Sequence, residues 1–172
     1  MLRRSILAIP ASLLAIALAT GPVAAAKPDR SFTGSPEGCI TFAAGELCDF
    51  GIQIDFLVDR EYLTTFFDKD GNVARDNFTG SLRVRITNLD DPTRSIELDV
   101  GGPGGDRYAA DGTATDSFHG HGLPLWPATD NHPAVYVATR GNFVYLVDAD
   151  FNLLGTVKSA GRSADICAML AS

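Results

Sequence analysis

The sequence has few basic residues and no cluster of them. Fourteen lysines and arginines stand against 21 aspartates and glutamates, giving a net charge of −7. Phosphate backbones and anionic lipid surfaces repel a chain with this balance. We therefore expect neither nucleic acid nor an anionic membrane among its partners.

Motifs that carry chemistry are also scarce. The sequence has no GxSxG elbow of the serine hydrolases, and GGPGG (101–105) lacks the lysine of a phosphate-binding loop. No cofactor-binding pattern is present, so no cofactor is predicted. Only three histidines and three cysteines are available for metal or thiol chemistry. These absences favour a binding protein over an enzyme.

A long apolar run occurs only near the start of the chain. Arg3 and Arg4 precede the apolar segment 6–19, and Ala24 and Ala26 match an Ala-x-Ala cleavage site. This segment is too short to span a bilayer comfortably, so residues 1–26 are predicted to be a helical signal peptide. Cleavage leaves a secreted, extracellular chain without a membrane segment, with 12 basic against 21 acidic residues and a net charge of −9. The arginine pair also partly fits a twin-arginine signal, so both export routes stay open.

Beyond residue 47 the hydrophobic pattern has a period of two. FGIQIDFLV (50–58), SLRVRIT (81–87) and SIELDV (95–100) each alternate apolar and polar residues. This alternation is typical of half-buried antiparallel strands.

The turn-rich linker NLDDPTR (88–94) predicts a hairpin between the last two of these strands. If Thr87 faces Ser95, the apolar residues of both strands meet on one face. Opposite charges then meet on the other face, Arg85 with Glu97 and Arg83 with Asp99. These four charges are therefore predicted to be structural.

Turn-forming residues recur along the whole chain, as in a meander of short strands. They include DG at 70–71, HGHG at 119–122 and GN at 141–142. Residues 48–172 are predicted to form one all-β domain, an up-and-down antiparallel barrel of about eight strands, with a β-sandwich as the alternative. Residues 27–47 form an N-terminal arm before it. Only ADICAML (164–170) suggests a short helix.

Two predicted strands, YLTTFF (62–67) and NFVYLVD (142–148), are apolar on both faces. Such strands need cover on both sides. The N-terminal arm or a second subunit can supply it, so an oligomer stays open.

All three histidines lie in FHGHGLPLWPATDNH (118–132). In an extended strand His119 and His121 point to the same side and can bind one zinc or copper ion, with Asp130 or His132 brought back by the loop. The intervening glycines favour a turn with exposed histidines instead. The metal site is therefore the alternative interpretation of this segment.

Several motifs resemble a group of small exported actinobacterial proteins of unknown function. The motifs are AGELCDFGIQI (44–54), FFDKDGNVARDNFTGSLRVRITNLDDPTRSIELDVGGPG (66–104), ADGTATDSFHGHGLPLW (110–126), VYVATRGNFVYLVDADFN (135–152) and GRSADICAML (161–170). The resemblance implies no activity. In strand order alone, the chain is also distantly similar to lipocalin-like and allene-oxide-cyclase-like barrels.

The three cysteines allow at most one intramolecular disulfide. From the residues alone, Cys39 with Cys48, either of them with Cys167, and three buried thiols all remain open. Cysteines matching Cys48 and Cys167 belong to the pattern of the actinobacterial group. The resemblance therefore implies a bridge between these two and leaves Cys39 unpaired.

The predicted function is non-catalytic binding of a small apolar ligand or a partner protein by a small secreted β-barrel. One alternative is a metal-dependent hydrolase or isomerase that uses the loop of His119 and His121. The other is a cell-envelope interaction protein that assembles through its doubly apolar strands.

Overall fold

The computed structural model of the protein describes residues 27–34, 38–130 and 132–171. The predicted signal helix (1–26) lies outside these residues. Their secondary structure consists of β1 (Asp29–Phe32), β2 (Cys39–Phe42), β3 (Ile52–Phe67), β4 (Val73–Asn88), β5 (Ser95–Asp99), β6 (Gly104–Tyr108), β7 (Ala114–Gly122), β8 (Leu125–Trp126), β9 (Val135–Val147), β10 (Leu153–Asp165) and α1 (Ile166–Ala171). No helix in this part of the chain has the length and hydropathy needed to cross a membrane. The prediction of an all-β protein with a short helix near residue 166 is confirmed.

All the strand pairs are antiparallel, and they follow a meander. The main path runs β1, β3, β4, β6, β7, β9, β10. The short strands β2, β5 and β8 extend it by pairing with β3, β4 and β9. Because β1 and β2 both pair with β3, the N-terminal arm is part of the sheet.

The sheet does not close into the predicted barrel. Among the described strands, no pair joins β10 to β1 or β2. A barrel needs two hydrogen-bonded partners for every strand. The edge opposite β10 consists of two strands of 4 residues each, which are too short to pair along the 13 residues of β10. The architecture is one curled antiparallel sheet with two free ends.

The predicted register of the hairpin between β4 and β5 is confirmed. Thr87 faces Ser95, and Ile86 faces Ile96. On the opposite face Arg83 is the neighbour of Asp99, and the Arg85 Nη2 lies 2.7 Å from the Glu97 Oε1. Apolar burial on one face and charge pairing on the other select the same alignment.

Two of the predicted turns lie inside strands. HGHG (119–122) is the end of β7, and GN (141–142) lies in the middle of β9, so the predicted strand NFVYLVD belongs to a longer strand that starts at Val135. Gly80 in β4 and Gly141 in β9 have φ of 146° and 144°, values that glycine adopts far more readily than other residues. A Cβ on Gly141 would lie 2.3 Å from the Ala160 carbonyl oxygen. These glycines bend long strands, and the bends curl the sheet.

The bends separate two hydrophobic clusters. The first contains Ile52, Ile54, Val84, Ile86, Tyr136, Ile166 and Leu170, so α1 and the start of β9 cover one end of the β3–β4 hairpin. The second contains Ala114, Trp126, Phe143, Tyr145, Val147 and Leu153. Different strands of the same curled sheet therefore pack against each other to form the core.

A disulfide fastens α1 to the segment before β3. Cys48 and Cys167 are bonded across a sequence separation of 119 residues, whereas Cys39 is an exposed free thiol. The bridge implied by the resemblance is confirmed. Structural disulfides are typical of oxidising compartments, which is consistent with the predicted extracellular location.

Candidate functional site

Of the predicted metal ligands, His119 and His121 lie in β7, whereas Asp130 and His132 lie in the segment after β8. His119 lies exposed in β7, with its Nδ1 2.8 Å from the Asn142 Oδ1. His121 faces Arg140, and His132 follows β8 in a turn closed by a bridge to Thr129. Within residues 27–34, 38–130 and 132–171, no three histidine, cysteine, aspartate or glutamate side chains form a group that can hold a metal ion. The site predicted from His119, His121, Asp130 and His132 therefore gains no support from the geometry.

Three aspartates lie side by side on adjacent strands. Asp76 of β4 is the cross-strand neighbour of Asp106 of β6, which is in turn the neighbour of Asp116 of β7. Directly opposed residues of antiparallel strands point to the same face, with Cβ atoms about 4.5–5.5 Å apart. The next residue in the same direction is Tyr145 of β9. We term Asp76, Asp106 and Asp116 the acid row.

Asp76 and Asp106, two neighbours in the acid row, differ in their hydrogen bonding. The Thr65 hydroxyl donates to one oxygen of Asp76 at 2.6 Å, and the Tyr108 hydroxyl donates to the other at 2.9 Å. Asp106 is 7% exposed, and its Oδ1 is buried without a hydrogen-bond partner among the described residues. Leaving a buried polar group unpaired costs about 1–3 kcal/mol. Packing alone does not account for an aspartate at this position.

The pKa values of the Asp106 and Asp116 carboxyls are raised above the ordinary value of aspartate. Burial, with the charge of Asp76 as the second cause, raises the pKa of Asp106 to about 6. Burial and then the charge of Asp106 raise the pKa of Asp116 to about 7. Neighbouring carboxyls cannot both ionise freely, so the two titrate as a coupled pair. Burial, followed by the charge of Asp59, also raises the pKa of Glu61 on β3.

Two adjoining cavities, of about 500 and 330 Å³, open beside the acid row. They share Asp116, Phe118, Leu123 and Phe151 in their walls. The smaller cavity reaches Glu61 on β3, so it depends on the curl of the sheet. No lysine or arginine of the described chain lines either cavity. We term the two cavities together the acid–aromatic pocket, which is lined by Asp106, Asp116, Phe118, Leu123, Trp126 and Phe151.

Aromatic rings are packed against one another around this pocket. The Tyr145 ring centroid lies 4.8 Å from that of Trp126 and 6.0 Å from that of Phe118. The Phe151 ring is in edge contact with Tyr108, at 6.4 Å. Such contacts hold the rings in fixed orientations.

Phe151 has a strained backbone at the edge of the pocket. Its φ of 62° is the only positive value among the described residues other than glycine. The Trp126 Nε1 donates to its carbonyl at 3.1 Å and so holds the conformation. Strain of this kind costs about 1–3 kcal/mol and persists where the surroundings enforce it, often at binding sites.

No protein-family model, curated protein or solved structure matches this chain. The functional assignment therefore depends on the geometry of the pocket.

The sequence did contain a signal for the acid–aromatic pocket. In β7, Ala114, Asp116 and Phe118 share one face, and in β6 Asp106 shares a face with Tyr108. An aspartate in the apolar register of a strand indicates either a buried partner or a functional group.

Proposed function

We propose that this protein is a non-catalytic binding protein that holds a small, largely apolar ligand in the acid–aromatic pocket. The supporting observation is a cavity with aromatic walls that is lined by Asp106, whose Oδ1 is buried without a hydrogen-bond partner among the described residues. The two cavities of the pocket, of about 500 and 330 Å³, have volumes in the range of small-molecule sites. Such sites are largely apolar and contain a few polar groups that orient the ligand.

The surroundings of the polar residues favour binding over acyl transfer. Ser117 and His119 are the only serine and histidine in close sequence proximity that suggest a nucleophile and its base. The Ser117 hydroxyl donates to the Gly105 carbonyl at 2.8 Å, and the His119 ring contacts Asn142. The two side chains therefore make separate contacts, and neither activates the other.

Trp126 gives a direct test, because it is the only tryptophan of the chain and lines the larger cavity. Titration with the neutral apolar probe N-phenyl-1-naphthylamine should change the Trp126 fluorescence saturably. Leu123→Phe narrows both cavities and should weaken binding at least tenfold. Leu154→Phe, at a residue that is 54% exposed, is the matched control and should bind like the wild type.

The proposal fails if the titration does not saturate, or if Leu123→Phe binds as tightly as Leu154→Phe. Three expectations from the sequence stay predictions: a protein partner, a homo-oligomer and membership of the actinobacterial group.

A further inference from the structure

We propose that the ligand of the acid–aromatic pocket carries a protonated amine or quaternary ammonium group, held between the paired carboxyls of Asp106 and Asp116 and the aromatic rings. This inference rests on the proposed function and names the chemical class of the ligand.

The first argument is the missing hydrogen-bond partner of Asp106. Asp106 is 93% buried, lines the smaller cavity and has an oxygen without a hydrogen-bond partner among the described residues. Asp116 lies beside it on the next strand and reaches both cavities. Buried carboxylates in proteins normally have a cationic or hydrogen-bonding partner. Since no lysine or arginine lines these cavities, a ligand can supply the cation.

The second argument is the aromatic wall. Phe118, Trp126 and Phe151 line the same space as Asp116. The face of an aromatic ring attracts a cation electrostatically, and aromatic cages recognise ammonium groups in this way. Carboxylates and ring faces together favour an organic cation and disfavour an anion. A metal ion fits less well, because the described residues contain no group of three or more ligands that can hold one.

The third argument is the charge that surrounds the pair on every neighbouring element. The titratable groups near it are Glu61 on β3, Asp76 on β4, Tyr108 on β6, His121 on β7, Tyr145 on β9, and His132 and Asp150 in the loops that line the larger cavity. Carboxyls and phenols predominate among the described residues on the pocket side, where the two histidines are the only potential cations. Arg75 on β4 and Arg107 on β6 line a different cavity, which Asp76 and Asp106 also border. A ligand cation therefore meets a negative potential in this pocket.

Binding of such a cation is coupled to proton release. The pair holds a proton near neutral pH, because burial raises the pKa of Asp116 to about 7. An alkylammonium ion keeps its charge throughout this range and favours the ionised carboxyl. Ionisation of a group with this pKa falls about tenfold from pH 8 to pH 6, so the affinity should fall by about the same factor.

The experiment compares three small probes of similar shape and different charge at pH 8: 2-phenylethylammonium, 2-phenylethanol and 3-phenylpropanoate. Trp126 fluorescence and calorimetry report binding, and calorimetry in two buffers reports the proton release. The ammonium should bind at least tenfold more tightly than the alcohol, and the propanoate should bind most weakly. Affinity for the ammonium should fall about tenfold at pH 6, with no such change for the alcohol.

The charge preference should disappear in Asp106→Asn/Asp116→Asn. It should persist in Asp70→Asn/Asp90→Asn, which makes the same change of net charge at two exposed turn residues. If the first double variant does not fold, Asp116→Asn alone should reduce the preference severalfold.

The outcomes separate the inference from the proposed function. If N-phenyl-1-naphthylamine binds but the ammonium has no advantage over the alcohol, the inference is overturned and the proposed function stands. Loss of the preference in the surface double variant also overturns the inference, because the effect then comes from the overall charge. If neither N-phenyl-1-naphthylamine nor any phenyl probe binds, both are overturned.

Discussion

Removing the disulfide should be the most damaging single covalent change to this fold. The bridge between Cys48 and Cys167 closes a loop with a sequence separation of 119 residues. The chain-entropy relation for a loop of this length gives about 4.9 kcal/mol at 25 °C. Domains are stable by only about 5–15 kcal/mol, so Cys48→Ser/Cys167→Ser should lose a large part of the total. At about 2–4 °C per kcal/mol for a domain of this size, Tm should fall by roughly 10–20 °C.

Urea unfolding followed by Trp126 fluorescence measures this loss. Cys39→Ser is the matched control, because Cys39 is an exposed free thiol and its loss should leave the midpoint unchanged. A reducing agent added to the wild type should reproduce the unfolding curve of the double variant. The reasoning is refuted if the double variant loses less than about 1 kcal/mol, since the loop constraint would then contribute little to stability.

Three further perturbations test the packing, the bend and the acid row. Ile86 is fully buried, so Ile86→Ala should lose about 2–5 kcal/mol in urea unfolding, whereas Leu89→Ala, at a residue that is 43% exposed, should lose little. Gly141→Ala places a Cβ 2.3 Å from a carbonyl oxygen of β10 at a residue with positive φ, so this variant should have a lower Tm than the wild type. A Cβ at Gly155 meets nothing within 4 Å, so Gly155→Ala should leave Tm unchanged. Equal Tm values for the two variants would contradict the bend assigned to Gly141. The folded pKa of Asp116 is raised to about 7, above an unfolded value of about 3.9, so the folded state binds more protons and its stability falls as pH rises between these values. Asp116→Asn should therefore be more stable than the wild type at pH 8, and this difference in the free energy of unfolding should decrease toward pH 4. If the variant is instead less stable at pH 8, the ionised carboxyl stabilises the folded state.

The hairpin of β4 and β5 could be predicted to the residue because two independent patterns agree there. Its apolar face and its charged face are both satisfied by the same alignment, in which Arg85 meets Glu97. The curl of the sheet could not be predicted in this way. Gly141 has the same local chemistry in a turn as in a bent strand, and only pairing with distant strands distinguishes the two.

The acid row could not be predicted from the sequence for a similar reason. The side-chain alternation of β7 places Asp116 on the apolar face, and this can be read from the sequence. Its proximity to Asp76 depends on β4 pairing with β6, although β5 lies between them in the chain. No single hairpin encodes that register.

The meander has a consequence for the order in which the protein folds. Most strand pairs join near neighbours in sequence, as in the hairpins β3–β4, β4–β5, β6–β7 and β9–β10. Contacts between near neighbours close with little loss of chain entropy and form early, whereas distant contacts form late. Glu61 and Phe151 line the same cavity from opposite ends of the meander, so that cavity is assembled only when the sheet has curled fully. A ligand of the acid–aromatic pocket therefore selects the completed fold over its partly folded precursors.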